Sequence, residues 1–327
     1  MEDFIENKVL DWNKKDGNDD CSKINKIIGF LEEKLFYSYE PTRWGYPEYR
    51  DRLEDWLKNI GTDSEQKTLF KSLPSIFYVG EKEIIVLYRL AYNDPIAKWT
   101  IEEIGLQLNN PKATSLIKKA IGNTWFLPAT DSLRINMFFH HNNIPNSQDL
   151  RPDLRSLVEF GDDRKIKECL SKNNIKRIVL MEDFVGSGVQ ILKALDKFAK
   201  RFSDLKILFV PLLICPAGMK KAKKVEDENI NLTINPVVKL KPEEFVSKNR
   251  NENKSELLYD LSVVAKDNYL LTTNGEPSGN KKPYDPLGFK KTGALIVMHT
   301  NTPANTLPLF HWVSNTWKPL FPRHTRV

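Results

Sequence analysis

Residues 178–189 (IVLMEDFVGSGV) restrict the possible folds of this 327-residue chain more than any other segment. Four apolar residues lead into the adjacent carboxylates Glu182 and Asp183, and a Gly-Ser-Gly turn follows. A short apolar run rich in β-branched residues predicts a buried strand. After the turn, Ile191, Leu195 and Phe198 fall on one face of a predicted amphipathic helix. We therefore expect a strand, a tight turn and a helix in this order.

The predicted turn, residues 184–188, has the composition of an anion-binding loop. Ligands of an open parallel sheet bind beyond the carboxyl ends of its strands, and the N–H groups and dipole at the start of a helix stabilise an anion. Gly186 and Gly188 permit close approach or a positive φ, and Ser187 adds a hydroxyl donor. The turn matches neither a P-loop nor a dinucleotide fingerprint. An ordinary strand, turn and helix with exposed acids is the alternative interpretation.

Two carboxylates beside an anion site need a separate explanation. Glu182 and Asp183 stand at the expected carboxyl end of the strand. They suit a sugar phosphate if they face the sugar hydroxyls, or a Mg²⁺ ion carried by the ligand, rather than the phosphate itself. We interpret the acids and the turn together as a sugar-phosphate site.

The hydrophobic pattern of the chain changes near residue 125. Residues 1–124 have mainly helical spacing, which predicts an N-terminal helical domain. In residues 125–327, short apolar runs alternate with amphipathic stretches. This alternation is typical of a mostly parallel sheet flanked by helices. The expected fold class is α/β, with the helical domain added at the N-terminal side.

Composition and charge narrow the environment and the partners. Cys21, Cys169 and Cys215 are odd in number and far apart, which favours a reducing compartment. The acidic N-terminus lacks the apolar run of a signal peptide, and the longest apolar run is far below the ~20 residues of a membrane span. We expect a cytoplasmic protein with no membrane partner. The net charge of +6 permits contact with nucleotides or nucleic acid without requiring it.

A basic cluster lies on a predicted helix after the second apolar run. Its members are Lys220, Lys221, Lys223 and Lys224. Lysines in such a cluster can contact nucleic-acid phosphates, but the acidic residues 226–228 follow directly. We interpret the cluster as the solvated face of a helix.

Residues 178–190 resemble the signature of the type I phosphoribosyltransferases, in which a hydrophobic strand, two acids and a small-residue phosphate loop follow one another. The resemblance implies that Glu182 and Asp183 hold the ribose hydroxyls of phosphoribosyl pyrophosphate, with Mg²⁺ bound to that ligand. It also implies a 5′-phosphate loop formed by Phe184, Val185, Gly186, Ser187 and Gly188, with Ser187 as its side-chain donor. The chain departs from the signature at Val185-Gly186, where threonines are usual, and at Gln190, where a threonine or serine usually closes the loop.

Three further segments are similar to a phosphoribosyltransferase-like family of bacterial conflict (anti-phage) systems, including retron-associated effectors. They are residues 46–53 (YPEYRDRL), 130–135 (TDSLRI) and 293–312 (GALIVMHTNTPANTLPLFHW). The resemblance implies a defence effector or accessory protein. It further implies partners encoded nearby, such as a reverse transcriptase with its RNA–DNA complex or a helicase.

Two of these segments contain further candidate site residues. Asp131 and Arg134 have an implied role at the pyrophosphate, where Arg134 supplies charge to the leaving group and Asp131 orients it; a surface ion pair is the alternative. Residues 301–308 follow a predicted strand, so we expect them on the same rim as the acidic turn. Amides and hydroxyls that can bind a base or phosphate there belong to Asn301, Thr302, Asn305 and Thr306. The alternative is that these groups satisfy the backbone of a proline-rich turn.

These sequence features are compatible with three functional hypotheses. The first is a transferase that acts on phosphoribosyl pyrophosphate or a related nucleotide as a defence effector. Such an enzyme mainly positions its substrate and stabilises charge, which suits a chain without a visible nucleophile–base pair. The second is a non-catalytic module of the same fold that senses a nucleotide or nucleic acid. The third is a nucleotide or nucleic-acid hydrolase built on the same site.

Overall fold

The C-terminal segment of the chain packs with its first residues. The computed structural model describes residues 4–43, 45–107, 109–144, 152–275 and 285–324. It forms two compact units, the first from Met1–Glu81 with Lys241–Val327 and the second from Lys82–Leu240. This grouping differs from the expected boundary between residues 124 and 125, because one hydrophobic core contains residues from both ends of the chain.

The chain begins with mainly helical elements, and helices and strands then alternate. The N-terminal elements are α1 (Phe4–Asp16), α2 (Asp20–Lys34), α3 (Tyr49–Lys58), α4 (Asp63–Ser72), β1 (Phe77–Val79), α5 (Glu81–Ala91), α6 (Ala97–Glu103) and α7 (Ala113–Gly122). The alternating part consists of β2 (Thr124–Pro128), α8 (Ile135–His141), α9 (Leu154–Phe160), α10 (Asp163–Lys172), β3 (Arg177–Val185), α11 (Val189–Arg201), β4 (Lys206–Ile214), α12 (Pro216–Asp227), β5 (Leu232–Ile234) and β6 (Val238–Lys239). The remaining elements are α13 (Glu256–Asp267), α14 (Tyr269–Thr273), β7 (Ile296–Met298) and α15 (Pro308–His311).

A parallel sheet of five strands forms the centre of the second unit. Its order is β2-β3-β4-β5, and β6 pairs with the far end of β4. All of these pairings are parallel, as expected from strands that alternate with helices. The mixed α/β class with helices beside parallel sheets is confirmed.

Strand β3 and helix α11 form as the apolar pattern predicts. Residues 178–181 are fully buried in the centre of the sheet. The predicted apolar face of α11 is also buried, since Leu195 and Phe198 pack in the same core as Ile178 and Leu180. The strand–turn–helix order is therefore confirmed.

Strand β3 is longer than its apolar run. It continues through Val185 because β4 lies beside it and pairs Phe184 with Leu213 and Val185 with Ile214. The expected loop over residues 184–188 is thus too long, since its first two residues belong to the strand. The turn itself consists of Gly186, Ser187 and Gly188.

Strand β7 belongs to a different sheet from β3. It pairs in parallel with β1, and this pair forms a separate two-stranded sheet in the first unit. The expectation that residues 301–308 share a rim with the acidic turn assumes a common sheet, and the pairing of β7 with β1 removes that basis. A buried apolar strand can be recognised from its sequence, but its pairing partner depends on residues distant in the chain.

Aromatic side chains hold the C-terminal segment in the core of the first unit. Phe321 packs against Phe36, Tyr39, Tyr49 and Tyr78, with ring centroids 5.1–6.3 Å apart. The indole N–H groups of Trp56 and Trp317 both donate to the carbonyl oxygen of Leu309, at 2.7 and 2.9 Å. The aromatic residues Trp317 and Phe321 therefore serve packing within this unit.

Among the described residues, no helix combines the length and the apolar composition that crossing a bilayer requires.

The Tyr39 hydroxyl gives a test of this core. It donates to the Pro322 carbonyl oxygen at 2.8 Å and lies 2.7 Å from the Thr302 hydroxyl, while its ring is fully buried. Tyr39→Phe removes the donor to the Pro322 carbonyl oxygen and the oxygen that accepts from the Thr302 hydroxyl, so we expect the free energy of unfolding to fall by ~1–3 kcal/mol. Tyr37 is 61% exposed, and Tyr37→Phe serves as the control with a change within ~0.5 kcal/mol. Equal effects of the two substitutions in urea unfolding would contradict this packing.

His311 predicts a loss of stability in mild acid. Burial, followed by the nearby Arg323 charge, lowers its pKa from 6.5 to about 3, and its Nε2–H donates to the Thr306 carbonyl oxygen at 3.1 Å. The unfolded chain takes up this proton near pH 6.5 while the folded chain does not, so folding weakens as the pH falls from 6.5 towards 3. We expect a slope of ~1 kcal/mol per pH unit from this group between pH 6 and 4. His311→Gln keeps an N–H donor without the titration and should flatten that slope. An unchanged slope in the variant would rule the explanation out.

Candidate functional site

The two acids lie at the carboxyl end of β3, in the second unit. Glu182 pairs with Pro211 of β4 and is only 5% exposed, while Asp183 is half-buried. Carboxylates are seldom this buried unless hydrogen bonds or charges compensate them. The hydrogen-bond donors to these two carboxylates therefore need to be identified.

Two hydroxyl groups hold the acids in place. Thr130 Oγ1 lies 2.9 and 3.0 Å from the two carboxylate oxygens of Glu182. Ser132 Oγ donates to Asp183 Oδ1 at 3.0 Å, and the Phe184 backbone N–H donates to the same oxygen at 2.8 Å. The two hydroxyls are themselves 2.7 Å apart. The result is one connected polar network at the end of the strand.

The segment after β2 brings these hydroxyls to the acids. The Ala129 N–H donates to the Met181 carbonyl oxygen at 2.7 Å, which extends the β2–β3 pairing by one residue beyond Pro128. Since the two strands are parallel, their carboxyl ends reach the same edge of the sheet. Residues 129–134 therefore lie beside residues 182–183.

Sequence reasoning selected the right segment but not the residues that contact the acids. Asp131 and Arg134 are both exposed on this segment, and their pyrophosphate roles stay predictions. Thr130 and Ser132 were missed. Two hydroxyl residues spaced i, i+2 directly after a strand are the signal, but they gain meaning only once β2 is known to be the neighbour of β3.

The Gly-Ser-Gly turn packs closely against the start of α12. Gly188 has a φ of +67° and immediately precedes α11. A Cβ at Gly218 would lie 2.5 Å from the Gly186 carbonyl oxygen, which a side chain cannot tolerate without a backbone shift. Ser187, between the glycines, is 6% exposed. Gly188 therefore has the positive φ that the turn was expected to need, and Gly218 packs against Gly186.

One lysine of the basic cluster reaches the turn. Lys221 Nζ donates to the Ser187 carbonyl oxygen at 3.0 Å. By contrast, Lys223 forms ion pairs with Glu226 and Asp227 on its own helix, at 3.4 and 2.8 Å. The interpretation of the cluster as a solvated helix face thus fits Lys223, whereas Lys221 places a positive charge at the turn.

A buried tyrosine completes the surroundings of the acids. Tyr88 on α5 donates its hydroxyl to the Arg134 carbonyl oxygen at 3.4 Å. Burial raises the pKa of Tyr88, and the negative charge of Asp183 raises it further. The phenol therefore stays protonated and acts as a neutral donor.

The candidate residues after β7 lie in the first unit, where they make local contacts. The Asn301 side-chain amide donates to the His324 carbonyl oxygen at 3.0 Å. Asn305 donates to the Phe289 carbonyl oxygen and the Thr292 hydroxyl, at 3.2 and 2.8 Å. Thr306 donates to the Ile296 carbonyl oxygen at 2.5 Å. These contacts agree with the alternative that the polar groups satisfy a turn, and the ligand role of Asn301, Asn305 and Thr306 stays a prediction.

Metal binding at this site would depend on the ligand. Among the described residues, no three His, Cys, Asp or Glu side chains come together as a metal site. One or two carboxylates are nevertheless what Mg²⁺ uses in proteins when a substrate phosphate supplies its other ligands. The pair Glu182 and Asp183 fits a magnesium ion that arrives with a diphosphate.

Comparison with known sequences identifies one family. The sequence model of the PRTase-CE family matches residues 53–323. That range contains the acids, the hydroxyl segment, the turn and most of the C-terminal segment. Comparison with curated proteins and with solved structures finds no match. The family match extends over far more than half of the chain, and the chain belongs to the PRTase-CE family, with a phosphoribosyltransferase-like fold.

Proposed function

We propose that this protein is a phosphoribosyltransferase-fold effector of a retron-like anti-phage defence system. Its ligand is phosphoribosyl pyrophosphate or a related nucleotide, bound at residues 182–188. The observation that carries the proposal is the pair Glu182 and Asp183, held by hydroxyls directly before a tight turn that opens a helix. The defence role rests on the resemblance of residues 46–53, 130–135 and 293–312 to effectors of such systems.

The acids are suited to the ribose of the ligand. An ionised carboxylate accepts several hydrogen bonds, so Asp183 can keep its bonds to Ser132 and Phe184 while it accepts from sugar hydroxyls. The bond from Thr130 orients Glu182 in the same way. In this proposal Thr130 and Ser132 position the acids and do not contact the ligand.

The turn and its neighbours are suited to the 5′-phosphate. Helix α11 has 13 residues, and its first N–H groups follow directly after Gly188. Such groups and the helix dipole stabilise an anion. Lys221, already hydrogen-bonded to the Ser187 carbonyl oxygen, can turn its ammonium group towards a phosphate. These features replace the side-chain donors that threonines supply in the usual signature.

Phosphoribosyl transfer depends mainly on positioning and on stabilisation of charge. Magnesium on the diphosphate would neutralise part of the charge on the leaving group. Arg134 would add a positive charge on that side and Asp131 would orient the group. Burial keeps the Tyr88 hydroxyl protonated, and its hydrogen bond to the Arg134 carbonyl oxygen holds the backbone of Arg134 in position.

A non-catalytic sensor of the same fold is the second candidate. It is favoured by the residues that replace the usual hydroxyl donors, Val185-Gly186 and the exposed Gln190. These changes leave a backbone cradle that binds a phosphate but offer fewer groups that tighten in a transition state. A sensor would pass the binding event to a partner encoded nearby, either a reverse transcriptase with its RNA–DNA complex or a helicase.

One experiment separates the two candidates. The purified chain is incubated with Mg²⁺, phosphoribosyl pyrophosphate and a nucleotide pool, and mass spectrometry follows pyrophosphate release and new products. Turnover that disappears in Asp183→Asn supports the enzyme. Thermal stabilisation by the ligand without turnover supports the sensor. If no phosphoribosyl ligand changes the melting temperature, the assignment of residues 182–188 as the ligand site is wrong.

Thr130 gives a prediction for the positioning of the acids. Thr130→Val removes the hydroxyl that holds Glu182, and loss of a hydrogen bond to a charged group corresponds to a roughly tenfold or larger loss of affinity. We expect calorimetric titration with magnesium phosphoribosyl pyrophosphate to show this loss. Thr130→Ser retains the hydroxyl and should restore affinity to within about threefold. Equal affinities of the valine and serine variants would show that the hydroxyl has no positioning role.

Lys221 gives a prediction for the phosphate side. Lys221→Met should weaken the same ligand about three- to tenfold, because a positive charge beside the phosphate is lost. Lys223→Met is the matched control on the same helix, since Lys223 is paired with its own acids. Its affinity should stay within about twofold of the wild type. A control that weakens binding as much as Lys221→Met would show only a general charge effect.

A further inference from the structure

A cavity lies in the second unit, at the opposite end of the sheet from the acids. Its volume is about 440 Å³, within the range of roughly 300–1,000 Å³ typical of small-molecule sites. It is formed by the segment after α6, the end of α7 and the starts of β2 and β3. The residues that line it include Leu106, Gln107, Asn110, Lys119, Lys176 and Arg177.

The buried guanidinium of Arg177 is the central feature of this cavity. Its Nη2 donates to the Ala120 carbonyl oxygen at 3.1 Å and its Nε to the Thr124 hydroxyl at 3.4 Å, and both acceptors are neutral. Arg177 is 9% exposed, and the hydrogen bonds of its guanidinium within the described residues go to these two neutral acceptors. Glu103 attracts it only from farther away, while burial lowers its pKa. A buried charge is normally paired, so this cation suits an anion in the cavity.

Two lysines and two side-chain amides of the cavity indicate the chemical class of its ligand. Lys119 and Lys176 line the cavity beside Arg177, and the lining residues that the structure describes include no acid. Gln107 and Asn110 offer amide groups. Asn110 Oδ1 already accepts from the Lys112 backbone N–H at 2.8 Å, so the side-chain NH₂ of Asn110 is the group left to donate. Apolar surface comes from the leucines at 106 and 116. We propose that this cavity binds a small organic phosphate of the nucleoside monophosphate class.

This site is separate from the acidic turn. Arg177 is the first residue of β3 and Asp183 the seventh, so the two lie ~20 Å apart along the strand at ~3.3 Å per residue. The proposal therefore goes beyond the proposed function and does not depend on it.

Capping of α7 is the competing explanation for Arg177. Its bond to Ala120 satisfies a carbonyl in the last turn of that helix. Capping explains one hydrogen bond but not the presence of Lys119 and Lys176 around the same cavity. The test therefore changes the two lysines and leaves Arg177 in place, so that the helix end stays intact.

The experiment titrates AMP, without Mg²⁺, into the full-length chain at low ionic strength, with calorimetry as the readout. We expect Lys119→Gln and Lys176→Gln each to weaken AMP about three- to tenfold, as the loss of one charged contact predicts. Lys118 is the neighbouring lysine on α7 and lies outside the cavity, so Lys118→Gln should change the affinity for AMP less than about twofold.

Two further measurements separate this site from the acidic turn and AMP from simple anions. Asp183→Asn should leave AMP affinity unchanged, which distinguishes this site from the turn. Inorganic phosphate should bind at least about tenfold more weakly than AMP, because it lacks the organic part.

Several results would overturn the proposal. Absence of AMP binding at millimolar concentration would do so, as would an effect of Lys118→Gln equal to that of Lys119→Gln. Loss of binding in Asp183→Asn would place AMP at the acidic turn instead. Phosphate that binds as tightly as AMP would exclude the nucleotide class.

Discussion

The pairing of β3 with β4, maintained as far as Val185 and Ile214, is the constraint on which the rest of the site depends. This pairing keeps β3 in the sheet beyond its apolar run. Glu182 and Asp183 therefore lie on a strand and not in a loop. The Cys215 N–H then donates to the Val185 carbonyl oxygen at 2.9 Å, which starts α12 beside the turn. Gly218 consequently meets Gly186, and Lys221 meets Ser187.

The two neighbours of β3 contribute different parts of the site. The strand on one side, β2, leads into the segment whose hydroxyls hold the acids. The strand on the other side, β4, leads into the helix that supports the turn. In a parallel sheet these connections all emerge at the carboxyl edge. This explains how Thr130, which is 52 residues from Glu182, and Lys221, which is 34 residues from Ser187, both reach the end of β3 and its turn. Membership of the PRTase-CE family agrees with this arrangement.

The residues themselves predicted local structure well and distant partners poorly. The apolar run of β3, the positive φ of Gly188 and the buried face of α11 all follow from residues within one short segment. The end of β3 was misplaced because Phe184 and Val185 look like loop residues until β4 is beside them. The i, i+2 spacing of Thr130 and Ser132 after β2 gains meaning only once β3 is known to be its neighbour, and Lys221 carries no local sign of its contact with Ser187. The grouping of the C-terminal segment with the first 81 residues depends on a shared aromatic core, which no hydrophobic period reveals.

We propose that the hydroxyl-held acids and the following turn form one sugar-phosphate site. A crystal structure of the chain grown with Mg²⁺ and phosphoribosyl pyrophosphate tests it most directly. We expect ribose hydroxyls within hydrogen-bond distance of Glu182 and Asp183, and the 5′-phosphate at the N–H groups of residues 186–189. We also expect Thr130 and Ser132 to hold the acids when the ligand is bound. A ligand bound elsewhere, or acids that turn away from it towards other protein groups, would show that residues 182–188 are not a sugar-phosphate site.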